Sequence, residues 1–511
     1  MAGQPPSWVR DAVFYQVFPD RFASSARVPK PGPMEDWDAP PTVHGFKGGD
    51  LRGVAERLDY LTDLGVSAIY LNPIFASASN HRYHTYDYLR VDPLLGGEAA
   101  FQELLDAAHA HGLRVIIDGV FNHSGRGFWP FHHILEAGRH SPYLDWFHLD
   151  RQRLEAGRAL GAYPEEGLGP AIDAALAATQ RGRARSIEQL GYRAWWDLPA
   201  LPQLNVANPQ VRSYLLGVAE HWTRFGVDGW RLDVPEEVEP SFWVEFRQRV
   251  RAINPDAYLV GEVWRVAPEW VGDRFDGLMN YSLAWAIIGF AAGSRLDGAV
   301  IAEHHQIRTH LKVLDGSGFL QRLAEILGAY DPLAVGAHLN ILGTHDTPRL
   351  RTLCGGDLTA VRLAILLEMV LPGAPCVYYG DEIGLEGRSD PGCRGAFPWD
   401  RSAWDAELRS FVRDAVALRA REPVLRQVGY ERLGSSGAAC AFARGDGDRR
   451  LVVVVNAGEQ AVDLTVPLPA EALHAPSALT VGNVPSVLGG DDASSRLRLA
   501  PRSAAVQPVH A

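Results

Sequence analysis

Eight short apolar runs, each ending in polar residues, limit most strongly what this chain can become: Ala12 to Phe18, Val66 to Leu71, Arg114 to Asp118, Val227 to Asp233, Tyr258 to Glu262, Gly277 to Tyr281, Leu339 to Asp346 and Pro375 to Gly380. Continuous apolar runs suit strands buried on both faces, as in a parallel sheet, whereas a strand with one wet face alternates. Between the runs lie segments of helical period, among them Leu51 to Leu64, Glu98 to His111, Pro209 to Phe225, Ser241 to Ile253 and Leu358 to Val370. Several open on Asp, Asn or Pro and close on Gly. Strand and helix in regular alternation predict an α/β fold, here a (β/α)8 TIM barrel.

Two regions break the rhythm. From Ser124 to about Pro199 the chain is loop-like, with aromatic residues at both ends (Trp129, Phe131, Tyr143, Trp146 and Phe147; Tyr192, Trp195 and Trp196) and a charged, alanine-rich stretch between them. It reads as an insertion after the third strand. From about Val424, strand-like runs such as Ala438 to Ala443, Leu451 to Asn456 and Val462 to Val466 alternate with Gly, Asp and Pro turns, which predicts an antiparallel β-sandwich. The expected organisation is a barrel from 1–123 and 200–423, an inserted domain from 124–199 and a C-terminal domain from 424–511.

Composition excludes several partner classes. The 511 residues carry 49 basic against 61 acidic side chains, a net charge of -12, with the signs mixed along the chain. That argues against nucleic acid and against an anionic membrane surface. Cys354, Cys376, Cys393 and Cys440 have neither paired nor metal-type spacing and read as buried or incidental thiols. No apolar stretch reaches membrane-spanning length, and the start Met-Ala-Gly-Gln-Pro-Pro-Ser-Trp lacks the features of a signal peptide, so a cytoplasmic protein is expected.

In a barrel of this kind the loops at the C-terminal ends of the strands converge on one pocket. Polar residues at those ends are Asp118, Asn122 and His123 after the third strand, Arg231 and Asp233 at the fourth, Glu262 at the fifth, and His345 with Asp346 after the seventh. Any one carboxylate at a strand end is more often a helix cap or a surface group. Their joint occurrence in Asp-Gly-Val-Phe-Asn-His, Gly-Trp-Arg-Leu-Asp, Gly-Glu-Val-Trp and Thr-His-Asp, in that order, resembles glycoside hydrolase family 13, the α-amylase family.

The resemblance implies a retaining glycosidase with Asp233 as nucleophile, Glu262 as acid/base and Asp346 as a third carboxylate that binds sugar hydroxyls. It implies that Arg231 keeps Asp233 ionised, that Asp118 holds the arginine, and that His123 and His345 bind hydroxyls of the cleaved sugar. Ser79 to Tyr88 resembles the family's loop after the second strand, so Tyr83 is expected to stack on that sugar with His81 beside it, while Tyr86 and Tyr88 are read as structural. Glu237 and Arg349, a few residues beyond Asp233 and Asp346, are further substrate-binding candidates. The chemistry matches the residue types, because a retaining mechanism needs one charged carboxylate to attack and one protonated carboxyl to donate.

Leu201-Pro202-Gln203-Leu204-Asn205, Trp195-Trp196, Glu237-Val238 with Phe242-Trp243, Asp276 with Asn280-Tyr281, and Asp390-Pro391 through Pro398-Trp399-Asp400 resemble the cyclomaltodextrinase, neopullulanase and maltogenic amylase group. The implied activity is hydrolysis of short α-1,4-glucans, as a monomer or homodimer. The alternative is a 4-α-glucanotransferase or trehalose-synthase-like enzyme using the same covalent intermediate. That group usually carries an N-terminal β-domain, whereas here the first barrel strand begins near Asp11, and the stretch from Arg151 to Glu188 is longer than expected. Asn122 matches a calcium ligand of α-amylases, but Glu236-Glu237 replaces the Lys-His pair found there and the stretch after Asp20-Arg21-Phe22 lacks Asn-Gly-Asp. No cofactor and no essential metal are expected.

Overall fold

A computed structural model describes residues 4–163, 186–445, 449–473, 475–491 and 493–510. Eight parallel strands make one sheet: β1 (Phe14–Val17), β2 (Ala68–Leu71), β3 (Arg114–Gly119), β4 (Gly229–Leu232), β5 (Tyr258–Gly261), β6 (Gly277–Leu278), β7 (Leu339–Ile341) and β8 (Ala374–Tyr378). Neighbours in sequence are neighbours in space, and β8 pairs back on β1 through Phe14 and Cys376. The remaining seam closes between Met279 and Leu339, where the Asn280 N–H donates to Leu339 O at 2.8 Å. The sheet is therefore a closed barrel, as the alternation of runs predicts. Its strands are buried at nearly every position, which is why they read as continuous apolar runs.

Helices Pro209–Phe225 and Leu358–Val370 coincide with the segments of helical period, and each starts where expected. The Asn208 side chain accepts from the N–H groups of Gln210 and Val211, and Asp357 does the same for Thr359 and Ala360. The segment Leu51 to Leu64 differs, being two helices, Leu51–Ala55 and Leu58–Leu64. At the break Glu56 accepts from Ser25 Oγ at 2.6 Å and Arg57 lies 4.1 Å over the Trp399 ring, so tertiary contacts override helical continuity. Gly277 to Tyr281 also differs. Only two residues are strand, because the Asn280 side chain accepts from Leu283 N–H and opens a wholly buried helix, Tyr281–Ala292.

The chain between β3 and Pro209 leaves the barrel rim and returns to it through isolated bridges, His123 to Gln203, Phe147 to Leu204 and Ala194 to Pro202. Most of the long stretch from Arg151 to Glu188 lies outside the described residues. Beyond Tyr430, a five-stranded and a three-stranded antiparallel sheet face one another over Leu433, Val452, Val454, Leu464, Val466, Leu497 and Leu499. This is the sandwich predicted from the turn-rich C-terminal sequence. All four cysteines are buried and unpaired.

The barrel is closed by a very short strand, and that leaves no room at Gly277. A Cβ there would sit 2.0 Å from Ala337 O and 2.5 Å from its carbonyl carbon, so main chain would have to move. Gly277→Ala is expected to cost about 2 kcal/mol or more, in the range of overpacked cores. A thermal melt of that variant matching the wild type would contradict this packing.

Candidate active site

The strand register brings the rim together. Asp118 and Arg231 are the penultimate residues of β3 and β4 and stand directly opposite one another. Asp233 follows β4 with its N–H on Gly119 O at 3.0 Å, and Glu262 follows β5 with its N–H on Leu232 O at 3.0 Å. One guanidinium collects the three carboxylates. Arg231 Nη1 donates to Asp118 Oδ1 at 2.8 Å and Oδ2 at 2.9 Å and to Asp233 Oδ1 at 2.9 Å, while Nη2 lies 2.8 Å from Glu262 Oε2.

The arginine is fully buried, and burial opposes its charge, but Asp118 and Glu262 outweigh that penalty and hold it above the ordinary arginine value. Asp233 is pushed well above the usual carboxylate range, first by burial and then by Glu262, Asp118 and Asp346, against the pull of Arg231. Burial also raises Asp118, although Arg231, Tyr83 and Tyr70 all donate to it. Removing one partner from such a cluster leaves uncompensated buried charge, at about 3–5 kcal/mol.

Glu262 has further donors. Trp264 Nε1 donates to Oε1 at 3.1 Å, and the Val234 N–H to Oε2 at 3.1 Å. Val234 reaches that position with φ 33° and ψ 55°, a left-handed conformation that a β-branched side chain rarely adopts. The strain sits between Asp233 and the turn Pro235–Glu237, where it re-aims one N–H at Glu262. Trp264 is fixed in turn by stacking on Tyr281, with centroids 3.7 Å apart.

Tyr83 stacks on His345 at 5.3 Å and 7°, and its hydroxyl donates to Asp118 Oδ2 at 2.8 Å. Gln16 and Asn72 each lie 3.0 Å from His345 Nδ1. Asp346 Oδ2 is 3.1 Å from His345 Nε2, and Arg394 Nη2 is 3.3 Å from Asp346 Oδ1. Burial pushes His345 well below the ordinary histidine value, with Arg394 and Arg231 adding to it, and takes His123 down to about 3. Both rings are thus neutral donors and acceptors near pH 7. His81 is likewise lowered by burial and lies 5.7 Å from the Tyr83 ring. Asp233 Oδ2 and His123 Nε2 are buried without a hydrogen-bond partner among the described residues, so each keeps bonding capacity for a ligand.

Asp233, Glu262, Asp346, Asp118, Arg231, His345 and Tyr83 thus form one cluster, His81 lies beside Tyr83 and His123 against Trp195, and the other two expected residues stand apart. Glu237 is exposed, because the turn after Val234 carries it to the surface. Arg349 is buried, with its guanidinium 4.1 Å over Tyr378 and 4.5 Å over Tyr379 and one nitrogen 3.1 Å from Asp381. These contacts tie it to the chain after β8. Sequence reasoning missed Arg394 and Trp264, although both lie within or beside quoted motifs. Tyr88 is fully buried and donates to His123 O at 2.7 Å, consistent with the structural reading. Asn122 Oδ1 accepts from Gln203 Nε2 at 2.8 Å, which ties the chain leaving β3 to the returning segment. Among the described residues no group of three or more His, Cys, Asp or Glu side chains could hold a metal ion.

A closed parallel barrel whose strand ends gather three acids on one arginine defines a class, and comparison with known proteins agrees. The alpha amylase catalytic domain matches residues 16–433, so the chain belongs to the alpha-amylase family and is a glycoside hydrolase. It is 37% identical over 482 residues to a cyclomaltodextrinase from Geobacillus thermopakistaniensis, covering 93% of this chain and 74% of that protein. Among solved structures, a debranching enzyme from Nostoc punctiforme matches at 42% identity and a TM-score of 0.84, covering 99% of this chain and 100% of the other. A cyclic alpha-maltosyl-(1→6)-maltose hydrolase from Arthrobacter globiformis matches at 34% identity and a TM-score of 0.81, with 99% and 100% covered. Among the described residues no helix is long and apolar enough to cross a membrane.

Burial and then Glu262 push Asp346 up to about 7. Its folded pKa lies above its unfolded value of about 3.9, so the native state holds a proton that the unfolded chain has released between those values. The contribution of Asp346 to stability therefore falls as pH rises from about 4 to about 7. Asp346→Asn carries no such penalty. Its melting temperature is expected to match or slightly trail the wild type at pH 4 and to exceed it at pH 8; a gap independent of pH would contradict the burial argument.

Proposed function

We propose that this glycoside hydrolase cleaves short α-glucans, chiefly at α-1,4 bonds, by a retaining double displacement. Asp233 attacks the anomeric carbon and Glu262 protonates the leaving oxygen. Glu262 then takes a proton from the incoming water. The observation that carries this reading is the shared guanidinium. Asp233 and Glu262 pair with the two terminal nitrogens of Arg231, a juxtaposition that suits the close carboxylate spacing of a retaining pair rather than the wider gap that holds a water in an inverting one.

Arg231 stabilises the ionised Asp233, and Asp118 together with Tyr83 fixes the arginine. Asp346, His345 and His123 bind hydroxyls of the reacting sugar, with the stacked Tyr83 and His345 as its floor. The unpartnered Asp233 Oδ2 is the oxygen with free capacity to attack. The names of the Geobacillus, Nostoc and Arthrobacter relatives support small or cyclic α-glucans as substrates and favour tolerance of α-1,6 bonds. Water as second acceptor makes the enzyme a hydrolase, and a sugar hydroxyl in its place yields transfer products.

A product profile on maltotriose, maltoheptaose, β-cyclodextrin, pullulan and starch is expected to show more efficient cleavage of maltotriose or β-cyclodextrin than of starch. A clear preference for starch would exclude the short-glucan reading. Asp233→Ala should fold, by circular dichroism, yet keep less than about 1% of turnover, because the covalent route loses its nucleophile; retention of a tenth would rule the assignment out. For Glu262→Gln, maltooligosaccharide turnover should fall by roughly 10²-fold or more. Azide should then restore turnover of an activated aryl α-maltoside and give an α-glycosyl azide, since two inversions retain configuration. A β-azide would refute both Glu262 as acid/base and the double displacement.

A further inference from the structure

An aromatic ladder leaves the site along the inserted segment. His123 stacks on Trp195 with centroids 5.1 Å apart and planes 16° apart, and Trp195 stacks on Trp196 at 4.8 Å and 16°. The inner end is buried and the outer end is not: His123 is 1% exposed, whereas Trp196 is 41% exposed, one of the few large apolar side chains in such a position. An indole left this exposed gains only part of the free energy that full burial would give, and this one is held at a backbone cost. Trp196 has φ 53° and ψ 28°, and Asp197 follows at φ 56°, two consecutive non-glycine residues in the left-handed region. Such strain persists only where surrounding contacts over-determine it, and it concentrates at ligand-binding positions.

The supporting contacts are specific. Trp195 N–H donates to Leu201 O at 2.9 Å, Asp197 N–H to Ala194 O at 3.2 Å and Leu198 N–H to Trp195 O at 3.0 Å, while the Asp197 side chain accepts from Ser186 N–H at 2.8 Å. Ala194 pairs with Pro202 and His123 with Gln203, so the helical turn Trp195–Asp197 that carries the ladder is clipped to the chain leaving β3. Trp195 Nε1 is buried without a hydrogen-bond partner among the described residues, so the ladder also presents a donor.

We infer that Trp196 is the stacking platform of a distal glucosyl subsite, which selects glucans long enough to run from His123 past Trp195 to the exposed indole. This rests on the reading that His123 binds the reacting sugar. Each step of the ladder is comparable to the length of one glucosyl unit along an α-1,4 chain. The broad apolar face of a glucosyl ring matches an indole, and one such contact is worth about a tenfold change in affinity.

The test uses calorimetric binding in the inactive Asp233→Ala background, with maltoheptaose and with maltose, which is too short to span the ladder. Adding Trp196→Ala should weaken maltoheptaose about 10-fold and leave maltose within about 2-fold. Trp196→Phe should preserve most of the affinity. Trp196→Gly, which suits the left-handed backbone, should lose maltoheptaose affinity with no fall in melting temperature, separating a ligand role from a structural one. In otherwise wild-type enzyme the loss from Trp196→Ala should fall on KM for maltoheptaose rather than on kcat. Equal weakening of both sugars, or of neither, overturns the subsite. Failure of the wild type to hydrolyse any maltooligosaccharide overturns instead the reading of the site, and leaves this binding comparison intact.

Discussion

A guanidinium sealed from water must be matched by carboxylates, and carboxylates sealed beside one another must be matched by a cation. Arg231 and its partners satisfy both demands at once, drawing Asp118 from β3, Asp233 from the end of β4 and Glu262 from the end of β5. The arrangement needs three adjacent parallel strands in one register, because Asp118 and Arg231 must stand opposite each other while the next residues of β4 and β5 turn inward. The barrel thus supplies positions that no single segment could. Its closure over the two-residue β6, with Gly277 against Ala337, is part of the same requirement.

The cluster is not electrically balanced, and its imbalance is useful chemistry. Burial raises Asp233 and Asp346 while Arg231 opposes the rise, so neither acid is as firmly ionised as a surface carboxylate. Neutral His345 and His123 offer hydrogen-bonding groups without adding charge. In the proposed mechanism a sugar that acquires positive character meets carboxyl groups already gathered and oriented around it, and folding rather than the reaction bears the cost of gathering them. The left-handed Val234 belongs to the same economy, since its N–H serves Glu262 and not a helix or a sheet.

How much was legible in the amino-acid order depends on how local each signal is. The eight strands were legible because burial on both faces leaves an unbroken apolar run, and the helices because caps such as Asn208 and Asp357 act within three residues. The break at Glu56 and the short β6 were not, since Ser25, Trp399 and the buried helix Tyr281–Ala292 act on them from elsewhere. Within the site, Asp118, Arg231, Asp233, Glu262, His345 and Asp346 were found from four ordered motifs at strand ends. Glu237 and Arg349 lie a few residues beyond two of those motifs, yet one faces solvent and the other serves Asp381 and two tyrosines. Arg394 and Trp264 carried no signal that spacing alone could separate from a structural arginine or a core tryptophan.

The sequence by itself determined the class of fold, through apolar periodicity, and the chemical inventory of the rim, through the residue types that follow each run. Those properties are local, set within a strand or a single helical turn. Tertiary structure alone decided which carboxylates share one arginine, which histidines are stripped of charge, and that Trp196 stands exposed at the end of a ladder begun by His123. Each of these depends on burial and on distances between residues tens or hundreds of positions apart. Desolvation and Coulomb interaction act through space and not along the chain, so only the folded barrel can set them.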